Sequence, residues 1–110
     1  MSKKMSILIQ LAHLRDVLHQ MEQDLGLDGL NRKERDILLA FYANATEDTA
    51  HGYISSTDRV REHPTLETVS QPTFHRALRR LLERGLVVRH DGLPAGIYAI
   101  PGGEALASVA

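Results

Sequence analysis

Five arginines are concentrated in one short stretch of the chain, and their type and spacing suit the binding of an anionic partner. Residues 70–92 carry five Arg against one Glu and one Asp, a net charge of +3. Residues 1–69 carry eight Lys or Arg against eleven Asp or Glu, a net charge of −3. A guanidinium group can donate two parallel hydrogen bonds to a phosphate or to the edge of a base. The overall charge of −1 therefore conceals a compact basic segment.

One helix, predicted from Ser70 to Arg84, must position most of these arginines. Ser70 is suited to cap its first turn, Pro72 is tolerated inside that turn, and Gly85 ends it as the residue after the C-cap. Apolar residues follow the helical period within it: Phe74, Ala77, Leu78, Leu81 and Leu82. They define the buried side, so the arginines must face solvent, with Arg76 almost opposite the buried side.

A helix with this face fits the major groove of B-DNA, where its N-terminal half meets the base edges. Thr73 and Arg76 are the candidates for reading bases, and Arg76 suits a bidentate contact to guanine. Ser70 and Gln71 stand at the helix start, where free N–H groups hold phosphates. The other basic candidates are expected to meet phosphates, the DNA backbone or the minor groove: Arg79, Arg80, Arg84, Arg89 and His90.

Structural roles remain open for several of these side chains. Ser70 could serve only as a helix cap, and Arg79 could pair with Glu83 four residues along. Arg84 could do no more than complement the negative end of the helix dipole. Arg76 is the strongest candidate for a base contact, because no acidic residue stands four before it or three after it.

A second chemical feature is an apolar stripe near the start of the chain. Its members recur at spacings of four and three on a single predicted helix that Gly26 and Gly29 end: Ile7, Leu11, Leu14, Leu18, Met21 and Leu25. Such a stripe packs either on its own domain or on a second copy. We favour a homodimer, because a twofold pair reads two DNA half-sites at once.

The remaining elements are predicted from periodicity and turn residues. Asn31, three residues before Glu34, resembles a helix start, and the helix that follows fades near Asn44. A polar loop is expected over 46–52. A short strand, a short helix and a two-stranded hairpin complete the chain, at 53–55, from 56 or 57 to 62, and at 86–90 with 97–100.

This order, with the stretch SQPTFHRALRRLLERGLVVRHDG…GIYAI, resembles the winged helix-turn-helix regulators, in particular the MarR-like proteins. The portion TFHRAL is similar to the DNA-binding half of the ferric uptake regulators. The resemblance implies a mainly α fold with a small β-hairpin wing, extended here by an N-terminal helix. The implied division is a dimerisation helix at 1–29, a DNA-binding domain at 30–101 and a tail at 102–110.

Several function classes are expected to be absent. The chain has no cysteine, which excludes disulfides and thiol catalysis, and its six histidines lack metal-ligand spacing. No nucleophile motif or phosphate-binding loop is present, so neither an enzyme nor a cofactor is expected. No apolar run is long enough for a membrane span, which favours a cytoplasmic protein. A small-molecule effector stays open as a partner; it would bind between the N-terminal helix and the winged helix, where the sequence shows no polar anchors for it.

Three functions are consistent with these features of the sequence. The first is a sequence-specific regulator that binds double-stranded DNA as a homodimer, with the helix 70–84 in the major groove. The second is a winged-helix module that docks other proteins and does not bind DNA, since a fold does not fix a function. The third, less favoured, is a metal-sensing regulator.

Overall fold

The computed structural model describes residues 2–101, except the side chain of Asp28. The tail predicted at 102–110 lies outside the described residues. The elements in chain order are α1 Lys3–Asp24, a 3-10 turn Leu27–Gly29, α2 Arg32–Ala43, β1 Thr46–Asp48, β2 Gly52–Ser56, α3 Thr57–Arg61, a 3-10 turn Pro64–Leu66, α4 Gln71–Glu83 and β3 Ile97–Ala99. The chain is mainly helical with one three-stranded antiparallel sheet. It divides into two compact units, the first spanning Met1–Asn31 and the second beginning at Arg32.

The first unit consists of α1 and the turn after it. The hydroxyl of Ser2 caps α1 by accepting a hydrogen bond from the Met5 N–H at 3.1 Å. Gly26 follows the C-cap with φ of 72°, a left-handed conformation that glycine adopts without steric cost. These ends confirm the predicted helix, and every residue of α1 is described, yet none is buried.

The second unit has an aromatic core that joins α2 to α4 and the sheet. Phe41 of α2 lies 6.4 Å from Phe74 of α4, measured between ring centroids, in a stacked arrangement. The same ring meets Tyr98 of β3 edge-on at 6.0 Å. Both phenylalanines are fully buried, as are Ile37 of α2 and Leu81 of α4. The apolar residues predicted to face inward on α4 therefore pack against α2 and the sheet.

The sheet has the order β1–β2–β3, with both neighbouring pairs antiparallel. The predicted loop over 46–52 is wrong, because Thr46–Asp48 pairs with Gly52–Ile54 as a hairpin. The Asp48 carboxylate closes its turn by accepting hydrogen bonds from the N–H groups of Ala50 and His51, at 3.2 and 2.9 Å. A side chain thus supplies the turn contacts that a periodic apolar pattern could not reveal.

The predicted hairpin of 86–90 with 97–100 is also only partly present. One bridge joins Val88 to Ala99, through hydrogen bonds of 3.0 and 2.8 Å. The strand β3 pairs mainly with β2, where Ile54 stands opposite Ala99. Val87 is fully buried, so the segment after α4 packs its side chain into the core rather than running on as a regular strand. The sheet is therefore completed by β1, which precedes α3 in the chain, and not by a regular strand after α4.

Helix α4 has the ends that its sequence predicts. Ser70 is the N-cap, and its hydroxyl accepts from the Thr73 N–H at 3.3 Å. Gly85 follows the C-cap with φ of 70°. The N–H of Leu86 then donates to the Leu81 carbonyl at 3.0 Å, which satisfies a carbonyl that the helix leaves open. These two ends fix the length of α4 and hence which arginines lie on it.

Candidate nucleic-acid interface

Helix α4 is strongly two-sided. Its buried residues are Phe74, Ala77, Leu78 and Leu81, and Leu82 is half-buried. Successive side chains turn by about 100° around a helix, so Arg76 and Arg79 lie on the side opposite the core. Both are exposed. Arg80 and Thr73 lie on one flank, between the core side and the exposed side. The core contacts therefore fix the direction in which each polar residue of α4 points.

Three of the predicted DNA-binding residues are joined at the start of α4. The Ser70 hydroxyl donates to the Thr73 Oγ1 at 2.9 Å, and the Arg76 Nη2 donates to the same oxygen at 3.3 Å. Thr73 thus accepts twice, which leaves its own hydroxyl hydrogen to donate elsewhere. The guanidinium of Arg76 is held by one N–H, and its other donors remain for a ligand. This arrangement presents hydrogen-bond donors at the exposed N-terminal end of the helix.

Gln71 lies in the same first turn and contacts a different neighbour. Its Nε2 lies 3.3 Å from the Nε2 of His75, one helical turn along. Both residues are exposed. The pair lies on the flank away from Thr73, so the first turn of α4 carries polar groups on both flanks.

Arg80 is paired with an acidic residue that the sequence did not connect to it. Its Nε lies 3.3 Å from the Oε2 of Glu34 on α2. The Glu34 side chain is only 11% exposed, whereas that of Arg80 is 51% exposed. A buried carboxylate needs a partner of opposite charge, and Arg80 supplies it. Arg80 therefore makes a contact that joins α4 to α2, and its phosphate contact stays a prediction.

Two further arginines, Arg79 and Arg84, lie in the C-terminal half of α4 and at its C-cap. Arg79 is exposed on the side opposite the core. Arg84 is the C-cap residue, and its own N–H donates to the Arg80 carbonyl at 3.1 Å. A cation at this end also complements the negative end of the helix dipole. Both side chains stand near the exposed side, at increasing distance from Thr73 along the axis.

Arg89 and His90 lie in the loop between α4 and β3. The guanidinium carbon of Arg89 stands 5.5 Å from the ring centroid of Tyr98, a cation–π contact. The His90 ring lies 5.3 Å from the ring of His51, in the turn between β1 and β2. These contacts place both predicted residues at the sheet rather than on the helix.

An acidic group accompanies this histidine pair. The Nδ1 of His51 lies 2.8 Å from the Oδ2 of Asp48. The hydrogen bond from His51 lowers the pKa of the Asp48 carboxyl, with a further contribution from the N–H groups of Ala50 and His51. Both contacts favour the ionised form of Asp48, which pairs with His51 beside the His90 ring.

The six predicted dimerisation residues all lie on α1 or directly after it, and all are exposed. Their exposed fractions run from 48% to 71%: Ile7, Leu11, Leu14, Leu18, Met21 and Leu25. The same helix exposes further large apolar side chains outside this stripe, among them Leu8 and Val17. The stripe is present as predicted, but it does not form part of a core in the described chain.

The range 2–101 holds neither a cluster of metal ligands nor a helix suited to span a membrane. Within that range, no three His, Asp or Glu side chains are grouped so that they could hold a metal ion. None of the helices in the same range combines the length and the apolar character that a membrane span requires.

The polar contacts that sequence reasoning missed are Glu34 with Arg80 and Asp48 with His51. The first joins residues 46 positions apart, and no local pattern points to it. The second had a local signal, since an Asp followed by a turn ending in Gly commonly closes a hairpin. Comparison with protein-family models, curated proteins and solved structures finds no match to this chain.

Proposed function

We propose that this protein is a cytoplasmic, sequence-specific transcriptional regulator that binds double-stranded DNA as a homodimer. Helix α4 lies in the major groove in this proposal. The observation that carries it is the linked set of Ser70, Thr73 and Arg76, which presents hydrogen-bond donors opposite the buried side of an amphipathic helix. A helix placed in this way can reach base edges with its first turns while its core side stays packed.

The elements around α4 support a winged helix-turn-helix interpretation. The short helix α3 comes before it, and a 3-10 turn lies in the segment between them. In this interpretation α3 and α4 form the helix-turn-helix pair. The loop before β3 then forms the wing, which is supported by the sheet. The wing carries Arg89 and His90, and the His90 ring lies beside the pair formed by Asp48 and His51.

We assign different roles to the basic residues according to their contacts. Arg76 and Thr73 read bases, since both lie in the first half of α4, Arg76 opposite the core and Thr73 on the adjoining flank. Arg79 and Arg84 contact phosphates, and Ser70 and Gln71 approach a phosphate at the helix start. Arg80 acts instead as a positioning residue, because Glu34 holds it against α2. Arg89 and His90 make secondary contacts to the DNA backbone.

A second candidate function is a protein-docking module without DNA binding. The exposed apolar stripe of α1 favours it, as does the overall charge of −1. The two functions differ in their response to salt. Binding through several phosphates weakens steeply as salt rises, whereas docking through an apolar stripe does not.

The experiment is selection from a pool of random duplex DNA, followed by salt titration of the selected sequence. Wild type should enrich a pseudo-palindromic sequence. Arg76→Ala should retain weak binding but lose discrimination at one position per half-site by about 5- to 150-fold, equivalent to about 1–3 kcal/mol. Arg79→Ala should weaken binding to all sequences alike and reduce the salt slope by about 2, because the homodimer carries two copies of Arg79.

Matched variants separate a positioned arginine from a general charge effect. Lys33→Ala removes one positive charge from an exposed residue of α2 and should leave discrimination unchanged. Thr73→Ser keeps the hydroxyl that holds Arg76, whereas Thr73→Val removes it and should reproduce part of the Arg76→Ala defect. Absence of any duplex binding at low salt would reject the proposal and favour the docking module.

A further inference from the structure

We propose that the stripe on α1 is covered by a second copy of this chain, with the two α1 helices antiparallel. The proposal defines the dimer that the DNA-binding function invokes, but it stands on α1 alone and is tested without DNA. All 22 residues of α1 are unburied, and a helix of that length extends about 33 Å. A row of apolar side chains along such a helix remains in water until another apolar surface covers it.

The charges of α1 select the orientation of the second copy. Residues 3–13 carry two Lys and no acidic residue, a net charge of +2. Residues 14–24 carry one Arg against two Asp and one Glu, a net charge of −2. Antiparallel copies place each positive half beside a negative half, whereas parallel copies place like halves together. Charge complementarity therefore favours the antiparallel pair.

The same charges oppose the dipole of their own helix. The first turn of α1 contains no acidic residue and the last turn no basic one. Lys3 and Lys4 thus stand at the positive end of the dipole, and Asp24 stands at the negative end. In an antiparallel pair each unfavourable end lies beside the oppositely charged end of the other helix. The second copy thus offsets a charge arrangement that α1 cannot satisfy alone.

The apolar spacing gives a register in which every stripe residue has an apolar opposite. With the twofold axis beside residue 16, Ile7 faces the partner's Leu25, Leu11 faces the partner's Met21, and Leu14 faces the partner's Leu18. The three remaining layers repeat these pairs by symmetry. All six residues of the stripe are then covered over the whole length of the helix.

The residues that border the stripe fit this register in part. Val17 faces the partner's Val17 near the axis, whereas a parallel pair would place it beside the partner's Glu22. On the other border Leu8 approaches the partner's Glu22, and Arg15 approaches the partner's Arg15. This like-charged contact is solvent-exposed and weak, because both side chains are long and can extend into water. The complementary halves of the two helices therefore dominate the orientation.

Disulfide trapping tests the orientation, because the chain contains no cysteine. Leu14→Cys and Leu18→Cys are made separately, and one of the two carries a tag that changes its length. In the antiparallel register, only the mixture of the two variants should cross-link, as the tagged–untagged species. Each variant alone should remain uncross-linked, because a self-pair is offset by four residues and exceeds the reach of a disulfide.

A parallel pair gives the reverse pattern and would overturn the orientation. Each variant would then cross-link with itself, and the tagged–untagged species would not form. Sedimentation of the unmodified protein without DNA measures whether two copies associate at all. We expect a dimer at micromolar concentration. A monomer under those conditions would overturn the proposal. Neither readout depends on DNA, so failure here is distinct from failure of the DNA-binding function.

Charge reversal provides a complementary measurement. Replacing both Lys3 and Lys4 by Glu makes each half of the antiparallel pair negative. The dimer dissociation constant should then rise about tenfold at low salt, and the difference should shrink at high salt. In a parallel pair the same change would replace one like-charged contact by another. An unchanged dissociation constant would therefore contradict the antiparallel arrangement.

Discussion

Helices α1 and α4 use their apolar residues in opposite ways. Four residues of α4 are buried against the rest of its unit, and its exposed side is polar and basic. No residue of α1 is buried, and its exposed side is rich in Leu, Ile, Met and Val. The exposed side of α4 is stable in water and suits a charged ligand. The exposed side of α1 is apolar and unfavourable in water, and it suits contact with another apolar surface.

The difference shows where each helix obtains its stability. Local capping gives α4 its ends, but burial of its aromatic and aliphatic side chains provides most of the stabilisation. Helix α1 has comparable caps at Ser2 and Gly26 but no burial. We therefore expect its stability in the assembled protein to come from the second copy that we propose covers the stripe. Phe74→Ala and Leu8→Ala test this contrast directly, and Glu34→Gln and Asp48→Asn then test polar contacts of the second unit.

Phe74→Ala should have the largest effect on the second unit. The ring is fully buried between Phe41 and the guanidinium of Arg61, whose carbon stands 4.8 Å from the ring centroid. Removing a buried Phe side chain costs about 3–5 kcal/mol, from lost transfer energy and the cavity left behind. Urea unfolding followed by circular dichroism measures the loss.

The matched apolar truncation lies on the other helix. Leu8 is 53% exposed and stands outside the six-residue stripe. Leu8→Ala should change the free energy of unfolding by less than about 0.5 kcal/mol. Equal effects of the two substitutions would contradict the contrast between a packed α4 and an uncovered α1.

Glu34→Gln should have an intermediate effect and sharpen the role of α4. It removes the charge that pairs with Arg80, and since Arg80 is half exposed the loss of stability should stay below about 1 kcal/mol. The released Arg80 of each protomer can then reach a phosphate, so the salt slope of DNA binding should rise by about 2 for the dimer. Asp36→Asn, the same charge change on the same helix, should leave that slope unchanged.

Asp48→Asn should have the smallest effect, and one that depends on pH. The His51 contact holds the pKa of Asp48 below its ordinary value, so the ionised carboxylate stabilises the fold above that ordinary value. This contribution is lost as the pH falls through the lowered pKa. The melting-temperature difference between wild type and variant should be constant near pH 6 and should close below about pH 4. A difference that persists in acid would exclude this cause.

The sequence allowed α4 to be predicted closely because its signals are local. Ser70, Pro72 and Gly85 fix its ends, and the spacing of its apolar residues fixes its buried side. The position of Arg76 follows from that side alone. The same logic located α1 and its stripe, although the stripe could not show that nothing in the described chain covers it.

The errors arose where strand pairing and side-chain contacts, which leave no apolar period in the sequence, decide the structure. Strand β1 has the sequence Thr-Glu-Asp, which carries no apolar alternation, and its pairing depends on the Asp48 turn. The partner of β3 depends on which strand reaches it in space, and that strand is β2. The contact between Glu34 and Arg80 joins two helices through side chains that each seemed to have a local role.

The uncovered stripe of α1 has a consequence for how the protein responds to its own abundance. If two chains must join before both half-sites of a DNA sequence are occupied, the concentration of competent protein rises with the square of the chain concentration wherever monomers predominate. A twofold change in synthesis then gives about a fourfold change in the bound form. The exposed apolar stripe of the single chain thereby makes the amount of DNA-bound dimer respond more steeply to the chain concentration.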